Sequence, residues 1–353
     1  MGIVITILQV IGIIIGILVG LFVVELAIVA FVPDFSVPKQ PLEKVTQPTR
    51  DAGSKPSWSR RDVSFKAKGT SLSAWLYLPE NLSAPVPCII MGHGFGGTKD
   101  AGLEPYAIRF QEAGFAVLAF DYRHFGGSDG EPRQLIWIPY QLEDYAAAID
   151  YARSLEEIDP TRIALWGTSL SGGHVIVTAA KDKKIACVSA QCPGLDGHAS
   201  GEMIFKREGI GYILRMIMHG QRDIVRSWLG LSVHKIPIVG KPGSIACITI
   251  TDAYESFGKL APENYINEVC ARINIRGGRY RPVKQAQNVR CPVLLQICDH
   301  DSIIPLSAAE EAEKKLGEYA EVKHYPIGHF DIYFGDNFEK SVSDQLDFFK
   351  KHL

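Results

Sequence analysis

Gly167-Thr168-Ser169-Leu170-Ser171-Gly172-Gly173 is the most informative stretch of this 353-residue chain. It directly follows the apolar run Arg162-Ile163-Ala164-Leu165-Trp166, and a helical pattern begins within it. A strand that passes through a serine between small residues into a helix makes a tight, strained turn. The serine hydroxyl then stands above a sheet at a helix N-terminus, where the dipole favours negative charge. Such turns usually read Gly-x-Ser-x-Gly, and here Ser171 takes the place of the second glycine.

Continuous apolar runs of strand length recur along the chain and alternate with helical patterns. Runs of this kind indicate strands that are buried on both faces of a parallel sheet. They lie at 87–91, 115–120, 163–166, 185–189 and 293–297. Helical patterns lie at 139–155 and 171–180, and alternating residues at 63–67 and 72–78 predict an initial β-hairpin. We therefore predict an α/β fold with a doubly wound, mostly parallel sheet.

The alternation of buried strands and helices breaks between about residues 195 and 289. Residues 212–229 have apolar positions at helical spacing, and a stretch rich in Gly and Pro follows at 237–243. We interpret this interval as a cap, or lid, inserted over the carboxyl ends of the strands, where such sheets bind ligands. The predicted organisation is an anchor at 1–33, a Pro-rich linker at 34–58, an α/β core at 59–194 and 290–353, and a cap at 195–289.

The N-terminus is an apolar segment that is long enough to span a membrane. Residues 3–24 alone can cross a hydrocarbon layer of about 30 Å as a helix. No Lys or Arg precedes the segment, and it is longer than the apolar part of a secretory signal, so we expect a retained single-pass anchor. A cleaved signal is the alternative. Lys39, Lys44 and Arg50 follow the segment, and the positive-inside tendency places the large domain in the cytoplasm.

Composition limits the classes of ligand. The net charge of −2, without a long run of one sign, argues against a nucleic-acid partner. The seven cysteines show no metal-type spacing, so we expect no metal, and they mildly favour a reducing compartment. We also expect no organic cofactor. Gly12, Gly16 and Gly20 recur every four residues, which is typical of a helix-packing face in membranes. This face predicts a homo-oligomer contact, with a plain anchor as the alternative.

A serine hydroxyl is a poor nucleophile near neutral pH. It needs a base, and the base needs an acid that orients it. Two aspartates, Asp299 and Asp301, follow the predicted strand at 293–297. We favour Asp301 as the acid, because the sequence Asp-x-Ile-Ile-Pro forms a loop that turns into the next helix. Asp299 is still at the strand end and is the alternative.

His329 is the predicted base. It follows a strand-like segment, and Gly328 allows the chain to bend so that the imidazole reaches back over the sheet. His324 lies within that strand-like segment and is the competing candidate. His174 is near Ser169 in the sequence, but its place on the following helix predicts a packed or surface residue.

A glycine-rich loop, Gly92-His93-Gly94-Phe95-Gly96-Gly97, follows the strand at 87–91. Its glycines let the main chain approach a reacting carbonyl group. We predict that the backbone N–H groups of Phe95 and Leu170 form an oxyanion hole. The candidate substrate contacts are His93, His124, Tyr212 and Met216.

Five motifs occur in sequence order: residues 93–97, the Asp-Tyr-Arg-His-Phe-Gly-Gly-Ser-Asp-Gly loop at 121–130, and residues 167–173, 301–305 and 328–329. In type and order they resemble the motifs of the α/β-hydrolase superfamily, and the resemblance covers roughly residues 60–353. The resemblance is to the dienelactone-hydrolase, serine-aminopeptidase and X-Pro dipeptidyl-peptidase-like branches. It implies the family fold and a catalytic triad of Ser169, Asp301 and His329.

The expected function is therefore that of a membrane-anchored serine hydrolase, of carboxylesterase or lipase-like type. It would cleave a carboxylic ester or thioester through an acyl-enzyme intermediate, with a small and lipid-like acyl substrate. A peptidase or amidase with the same triad is the alternative, and a non-catalytic binding protein on the same fold is a second one. The sequence does not determine the acyl group or the leaving group.

Overall fold

The structure is a computed structural model. It describes residues 2–32, 35, 37–42, 60–80 and 82–353. Most of the predicted linker at 34–58, including Lys44 and Arg50, lies outside the described residues. The described chain forms a mostly parallel sheet with helices on both faces, which confirms the predicted α/β fold.

Eight strands form the main sheet, in the order β1-β2-β4-β3-β5-β6-β9-β10. They are β1 Arg60–Ala67, β2 Thr70–Tyr77, β3 Val86–Gly92, β4 Ala116–Phe120, β5 Ile158–Thr168, β6 Cys187–Gln191, β9 Val293–Cys298 and β10 Ala320–Tyr325. Strands β1 and β2 form the predicted hairpin, and β2 pairs antiparallel with β4. The remaining pairs are parallel, and every residue of β4, β6 and β9 is buried, as their continuous apolar sequences predict.

The helices of the described chain are α1 Gly2–Phe31, α2 Glu104–Glu112, α3 Ile138–Arg153, α4 Leu170–Lys181, α5 Gly197–Trp228, α6 Thr251–Leu260, α7 Ile273–Arg276, α8 Leu306–Leu316 and α9 Gly335–His352, and those outside α1 and the interval between β6 and β9 cover both faces of the sheet. On one face, Tyr106 of α2 packs in a core cluster with Phe349 of α9. On the other face, Tyr145 of α3 and Val175 of α4 are buried in the larger core cluster. The sheet is therefore covered on both sides, and its carboxyl edge is left for loops and the inserted segment.

The chain leaves the sheet between β6 and β9. Helices α5, α6 and α7 lie in this interval, with a small antiparallel pair of strands, β7 Lys235–Ile236 and β8 Val269–Cys270. Helix α5 begins at Gly197, well before the predicted helical segment at 212–229. The Asp196 carboxylate accepts hydrogen bonds from the N–H groups of His198 and Ala199, which caps the helix earlier than the apolar spacing indicates.

Helix α1 is the predicted apolar N-terminal helix. Its segment Val4–Phe31 has a mean hydropathy of 3.0, so by length and composition it fits a membrane span or a signal sequence. The last turn of α1 contacts α5, where Val29 and Ala30 are buried. The Arg222 guanidinium donates to the Val29 carbonyl at 2.5 Å, and Arg226 donates to the Ala30 carbonyl at 2.9 Å. These bonds satisfy carbonyls that the end of a helix leaves without partners.

The three glycines of α1 face open space. A Cβ atom added to Gly12, Gly16 or Gly20 would meet no heavy atom within 4 Å. Their role as an oligomer contact stays a prediction.

Candidate active site

Ser169 lies at the turn between β5 and α4, directly above the carboxyl edge of the sheet. Its backbone has φ 54° and ψ −119°, a strained conformation for a residue with a side chain. The turn is so tight that a Cβ atom on Gly167 would lie 2.2 Å from the carbonyl oxygen of Ser171. Glycine at position 167 is therefore a steric requirement of the turn that presents the Ser169 hydroxyl.

Ser171 holds this turn to the glycine-rich loop that follows β3. Its side chain is fully buried, and its hydroxyl donates to the His93 carbonyl at 2.5 Å. The Tyr122 hydroxyl bonds the same Ser171 oxygen, also at 2.5 Å. At the position where these turns usually have glycine, this chain has a side chain that links two parts of the site. The sequence shows that serine replaces glycine at position 171, but it does not show which groups the Ser171 hydroxyl bonds.

A chain of two hydrogen bonds joins Ser169 to a buried carboxylate. The Ser169 hydroxyl lies 3.1 Å from Nε2 of His329, and Nδ1 of that ring lies 2.6 Å from Oδ2 of Asp301. The side chains of His329 and Asp301 are both nearly buried. The other Asp301 oxygen accepts the backbone N–H groups of Ile303 and Ile304, each at 2.8 Å, which orients the carboxylate. The structure thus brings together three residues that are distant in sequence.

The charge on Asp301 controls the ring of His329. Burial of the ring opposes its protonation, but the Asp301 carboxylate, together with Cys192, favours the charged ring, and the pKa of His329 is raised to about 9. A carboxylate only accepts hydrogen bonds, so in the neutral ring Nδ1 carries the proton and Nε2 is free to accept. Nε2 can therefore take the proton of the Ser169 hydroxyl.

The alternative acid and base lie elsewhere. Asp299 and His324 bond each other at 2.6 Å on the protein surface, where the His324 side chain is 51% exposed. His174 is fully buried and bonded to the Tyr280 hydroxyl at 2.7 Å, and also to a glutamine of α3. Burial lowers the pKa of His174 to about 3, which keeps its ring neutral. It is a packed histidine, as its place on the helix predicted.

The glycine-rich loop approaches Ser169 closely. A Cβ atom on Gly94 would lie 3.1 Å from Cβ of Ser169, so a larger residue would crowd the serine. The predicted donors Phe95 and Leu170 both border the cavity beside Ser169. Neither of their backbone N–H groups has a hydrogen-bond partner within the described ranges of the chain. Both groups are therefore available to a negatively charged oxygen.

The inserted segment supports the same loop from above. The Tyr265 hydroxyl donates to the Gly96 carbonyl at 2.8 Å. Gly96 has φ +65°, and a Cβ atom there would lie 2.5 Å from the Ile238 side chain. Residues of the segment between β6 and β9 thus pack directly on the loop that carries Phe95.

A cavity of about 320 Å³ opens beside Ser169 and His329. Tyr212 and Met216, two of the candidate substrate contacts, line it from α5. Most of the other lining side chains are apolar, among them Ile138, Ile204, Ile213, Ile248 and Phe257. The Asp196 carboxylate also borders the cavity, but Arg281 pairs with it at 2.6 Å. The cavity therefore suits an apolar group that ends close to the serine.

The other two candidate contacts are placed differently. His93 borders the cavity, but its Nδ1 donates to the Gly94 carbonyl at 3.0 Å and its Nε2 accepts the Tyr122 N–H at 3.4 Å. The prediction that His124 contacts the substrate is corrected by the structure. His124 lies outside the cavity lining, and its ring stacks on Tyr140, with centroids 6.1 Å apart. The loop turns back at His124, whose φ is 75°, and this turn carries the side chain away from Ser169.

Sequence reasoning missed Tyr333 and Thr168. Both border the cavity, and their hydroxyl groups bond each other. Thr168 precedes the serine, and Tyr333 follows His329 by four residues, so the bond joins the two turns that carry the serine and the histidine. Across the parts of the chain that the structure describes, no group of three His, Cys, Asp or Glu side chains is placed to hold a metal ion.

Comparison with known proteins gives the same architecture. Residues 68–210 match the X-Pro dipeptidyl-peptidase (S15) family. The quorum-quenching protein AidA of Acinetobacter baumannii is 41% identical over 292 residues, which are 82% of this chain and 94% of that protein. The thiohydrolase aneE of Aspergillus aculeatus is 29% identical, over 79% of this chain and 89% of its own length.

Among solved structures, the α/β hydrolase GrgF from Penicillium sp. sh18 superposes with a TM-score of 0.71 at 29% identity. The alignment covers 83% of this chain and 99% of the GrgF chain. GrgF is named a polyketide transferase, so the relatives of this chain include proteins named as a thiohydrolase and as a transferase. From this agreement in fold, and from the extent of its identity to AidA, the chain is a hydrolase that belongs to the α/β-hydrolase superfamily.

Proposed function

We propose that this protein is a membrane-anchored serine hydrolase that cleaves an ester or thioester of an apolar acyl group. The observation that carries the proposal is the hydrogen-bonded series Ser169–His329–Asp301 at the mouth of an apolar cavity. This arrangement has the geometry that activates a serine hydroxyl: a nucleophile, a base within reach, and an acid that orients the base.

In the proposed reaction, the Ser169 oxygen attacks the substrate carbonyl carbon while His329 Nε2 accepts the hydroxyl proton. The tetrahedral intermediate collapses when the bond to the leaving oxygen or sulfur breaks, and His329 returns its proton to that atom. Water then attacks the acyl-serine ester, again with His329 as base, and releases the carboxylic acid and the free serine. Asp301 remains ionised throughout and stabilises the imidazolium that forms in each half-reaction.

The oxyanion of each tetrahedral intermediate is assigned to the N–H groups of Phe95 and Leu170. Their lack of other partners in the described chain and the close approach of Gly94 to Ser169 support this assignment. Leu170 also begins helix α4, whose N-terminal dipole favours the developing charge. Loss of one such donor typically costs about 3 kcal/mol of transition-state stabilisation.

An acyl substrate fits this cavity better than a peptide with a free amino terminus. An ammonium group needs a carboxylate, and the Asp196 carboxylate at the cavity wall is already paired with Arg281. The apolar lining instead favours an acyl chain. The names of the relatives, a thiohydrolase and a polyketide transferase, point to acyl thioesters as one substrate class.

A peptidase or amidase is the second candidate function, because residues 68–210 match the X-Pro dipeptidyl-peptidase family. The two functions use the same three residues and differ in the leaving group. Comparison of kcat/KM on p-nitrophenyl esters, acyl thioesters and aminoacyl p-nitroanilides separates them. We expect turnover of the esters and thioesters; a higher kcat/KM on the anilides would establish the peptidase function instead.

The membrane anchor is helix α1, and we place the large domain in the cytoplasm on the basis of the basic residues that follow it. Retention of the helix distinguishes an anchor from a cleaved signal. A mature chain that retains residues 1–33 and sediments with membranes agrees with the anchor. A mature chain that begins after residue 33 contradicts it.

A fluorophosphonate probe tests the reaction chemistry, because it reacts covalently with activated serines. We expect stoichiometric labelling of the wild-type protein and none of Ser169→Ala. Ser154→Ala, which changes an exposed serine, is the matched control and should label like the wild type. Equal labelling of Ser169→Ala would reject the assignment, and absence of labelling together with absence of turnover would favour a binding protein.

A further inference from the structure

Helix α5 carries an apolar stripe that faces away from the body of the protein. The stripe consists of Ile210, Leu214, Ile217, Ile224 and Trp228, whose spacing of 4, 3, 7 and 4 residues places them on one helical face. Ile210 is 60% exposed, Leu214 is 53% exposed and Trp228 is 75% exposed, with α1 in place. A water-soluble surface rarely leaves so many large apolar side chains in one row.

The side of α5 opposite the apolar stripe packs against the rest of the protein. Tyr212 and Met216 are buried and line the cavity, while His219 is buried against the ring of Phe35, with centroids 5.7 Å apart. The helix therefore has one face for the site, one flank for the N-terminal segment, and a third face, the apolar stripe, on which Ile210, Leu214 and Trp228 are more than half exposed.

The anchor helix meets α5 beside the apolar stripe. Side chains of α1 are exposed from Val4 to Val24, so this part of the helix projects free of the body. Only its last turn is buried, where Arg222 and Arg226 bind the carbonyls of Val29 and Ala30. If α1 spans the bilayer, the membrane surface begins within about one helical turn of α5, since a turn rises about 5.4 Å.

The composition of α5 suits the membrane–water interface. Trp228 is an aromatic residue of the type that concentrates at headgroup depth. Lys206 and Arg215 are exposed on the same helix and can reach lipid phosphates, whereas Arg207 is paired with Glu208 at 2.9 Å. An amphipathic helix with large apolar residues on one face and basic residues beside it is typical of helices that lie in the plane of a membrane surface.

From these observations we propose that the apolar stripe of α5 lies in the bilayer surface and that the cavity receives its acyl substrate from the membrane. Ile217 belongs to the stripe and also lines the cavity, so the two surfaces are continuous at this residue. The proposal rests on the membrane anchor and the hydrolase site given under Proposed function. It adds a second membrane contact and a substrate class, namely acyl esters and thioesters dissolved in lipid.

Contact with lipid is tested by quenching of tryptophan fluorescence in the full-length protein. The protein is placed in nanodiscs with one copy per disc, formed from phosphatidylcholine with a minority of phosphatidylglycerol, with and without brominated acyl chains. The Trp228 signal is the difference between wild type and Trp228→Phe. We expect brominated lipid to quench this signal and aqueous iodide to leave it unchanged.

Two outcomes of the quenching experiment would overturn the proposal. Quenching by iodide but not by brominated lipid places Trp228 in water. Protection from both quenchers places Trp228 against protein, which would make the stripe a docking surface for another chain. One copy per disc prevents a second copy of this chain from covering the stripe.

Delivery of substrate from the membrane is tested with two esters. Leu214→Glu and Trp228→Glu alter the stripe but not the cavity lining, and Ile266→Glu, at an exposed apolar residue outside α5, is the matched control. We expect both stripe variants to hydrolyse water-soluble p-nitrophenyl acetate at the wild-type rate. Their rate on p-nitrophenyl palmitate dissolved in the discs should fall about tenfold, since a charge in the interface weakens the contact, while Ile266→Glu keeps both rates.

The two substrates also separate this proposal from the proposed function. Equal rates of the stripe variants and the wild type on the palmitate ester would overturn delivery from the membrane, even with full activity on the acetate ester. Failure of the wild type on both esters would instead contradict the hydrolase site.

Discussion

At the scale of single residues, the site depends on side chains that do two tasks. Ser171 fills the place of a glycine in the turn and also bonds the His93 carbonyl and the Tyr122 hydroxyl. Asp301 orients His329 and raises its pKa. The residue types and their order were predictable from the sequence, because strand ends at one sheet edge must converge. The loop sequence Asp-x-Ile-Ile-Pro already favoured Asp301 over Asp299, and the structure adds the bonds that separate them: Asp301 binds His329 and Asp299 binds His324.

Ser171→Ala should destabilise the protein. The substitution leaves the buried His93 carbonyl and Tyr122 hydroxyl short of a partner, which typically costs about 1–3 kcal/mol. Ser154→Ala is the control, because its hydroxyl makes one bond at an exposed position. Urea unfolding followed by circular dichroism measures both free energies of unfolding. Equal values for the two variants would contradict the linking role of Ser171.

The pH profile of the reaction should show the raised pKa of His329. The ring must be neutral to accept the Ser169 proton, so kcat/KM rises with pH and levels off above a pKa of about 9. Asp301→Asn removes the charge that favours the protonated ring, so the rising limb moves to lower pH while kcat falls about 10³–10⁴-fold. Stopped-flow ester hydrolysis between about pH 5 and about pH 10, a range that includes the pKa of about 9, measures both profiles. A profile that is flat below pH 9 would be inconsistent with His329 as the base.

At the scale of elements, the strands of the sheet could be predicted one by one, whereas the cap could be predicted as an inserted interval but not helix by helix. Strands β3, β4, β6 and β9 are short apolar runs whose burial on both faces is visible in the sequence. Helix α5 begins before its apolar spacing because Asp196 caps a first helical part, which a kink at Gly209, with the non-helical φ of 76°, joins to the second. Such an end is set by capping and by contacts with the sheet edge, which periodicity does not register.

The contact between the cap and the glycine-rich loop predicts a remote effect on the reaction. Tyr265→Phe removes the hydrogen bond to the Gly96 carbonyl and should lower kcat several-fold, with little change in KM, because the Phe95 N–H loses its position. Tyr254→Phe, which loses a bond to the Pro41 carbonyl elsewhere on the cap, is the control. Steady-state kinetics separate kcat from KM. Equal kcat values for both variants would show that Tyr265 has only a structural role.

At the scale of the whole molecule, helix α5 connects the N-terminal helix to the hydrolase site. The last turn of α1 is bound by α5, and α5 also lines the cavity. The anchor and the site thus share one helix. The sequence indicated both parts separately, but not their contact, because Arg222 and Arg226 have no pattern that distinguishes them from surface arginines.

Because of this shared helix, the α1–α5 contact should affect substrate use more than folding. Arg222→Ala with Arg226→Ala removes the bonds to Val29 and Ala30, so the domain should hydrolyse a soluble ester normally and a membrane-dissolved ester more slowly. Lys284→Ala, at an exposed basic residue outside α5, is the control. Loss of both activities together would mean that the arginines are needed for the fold itself.

The central claim is that Ser169 forms a covalent acyl intermediate, and rapid-quench mass spectrometry during turnover of an acyl thioester tests it most directly. We predict that the peptide containing Ser169 gains the mass of the acyl group within the first turnover and loses it when substrate is exhausted. Turnover of the thioester without an acyl adduct on that peptide, or with an adduct on another residue, would contradict the account.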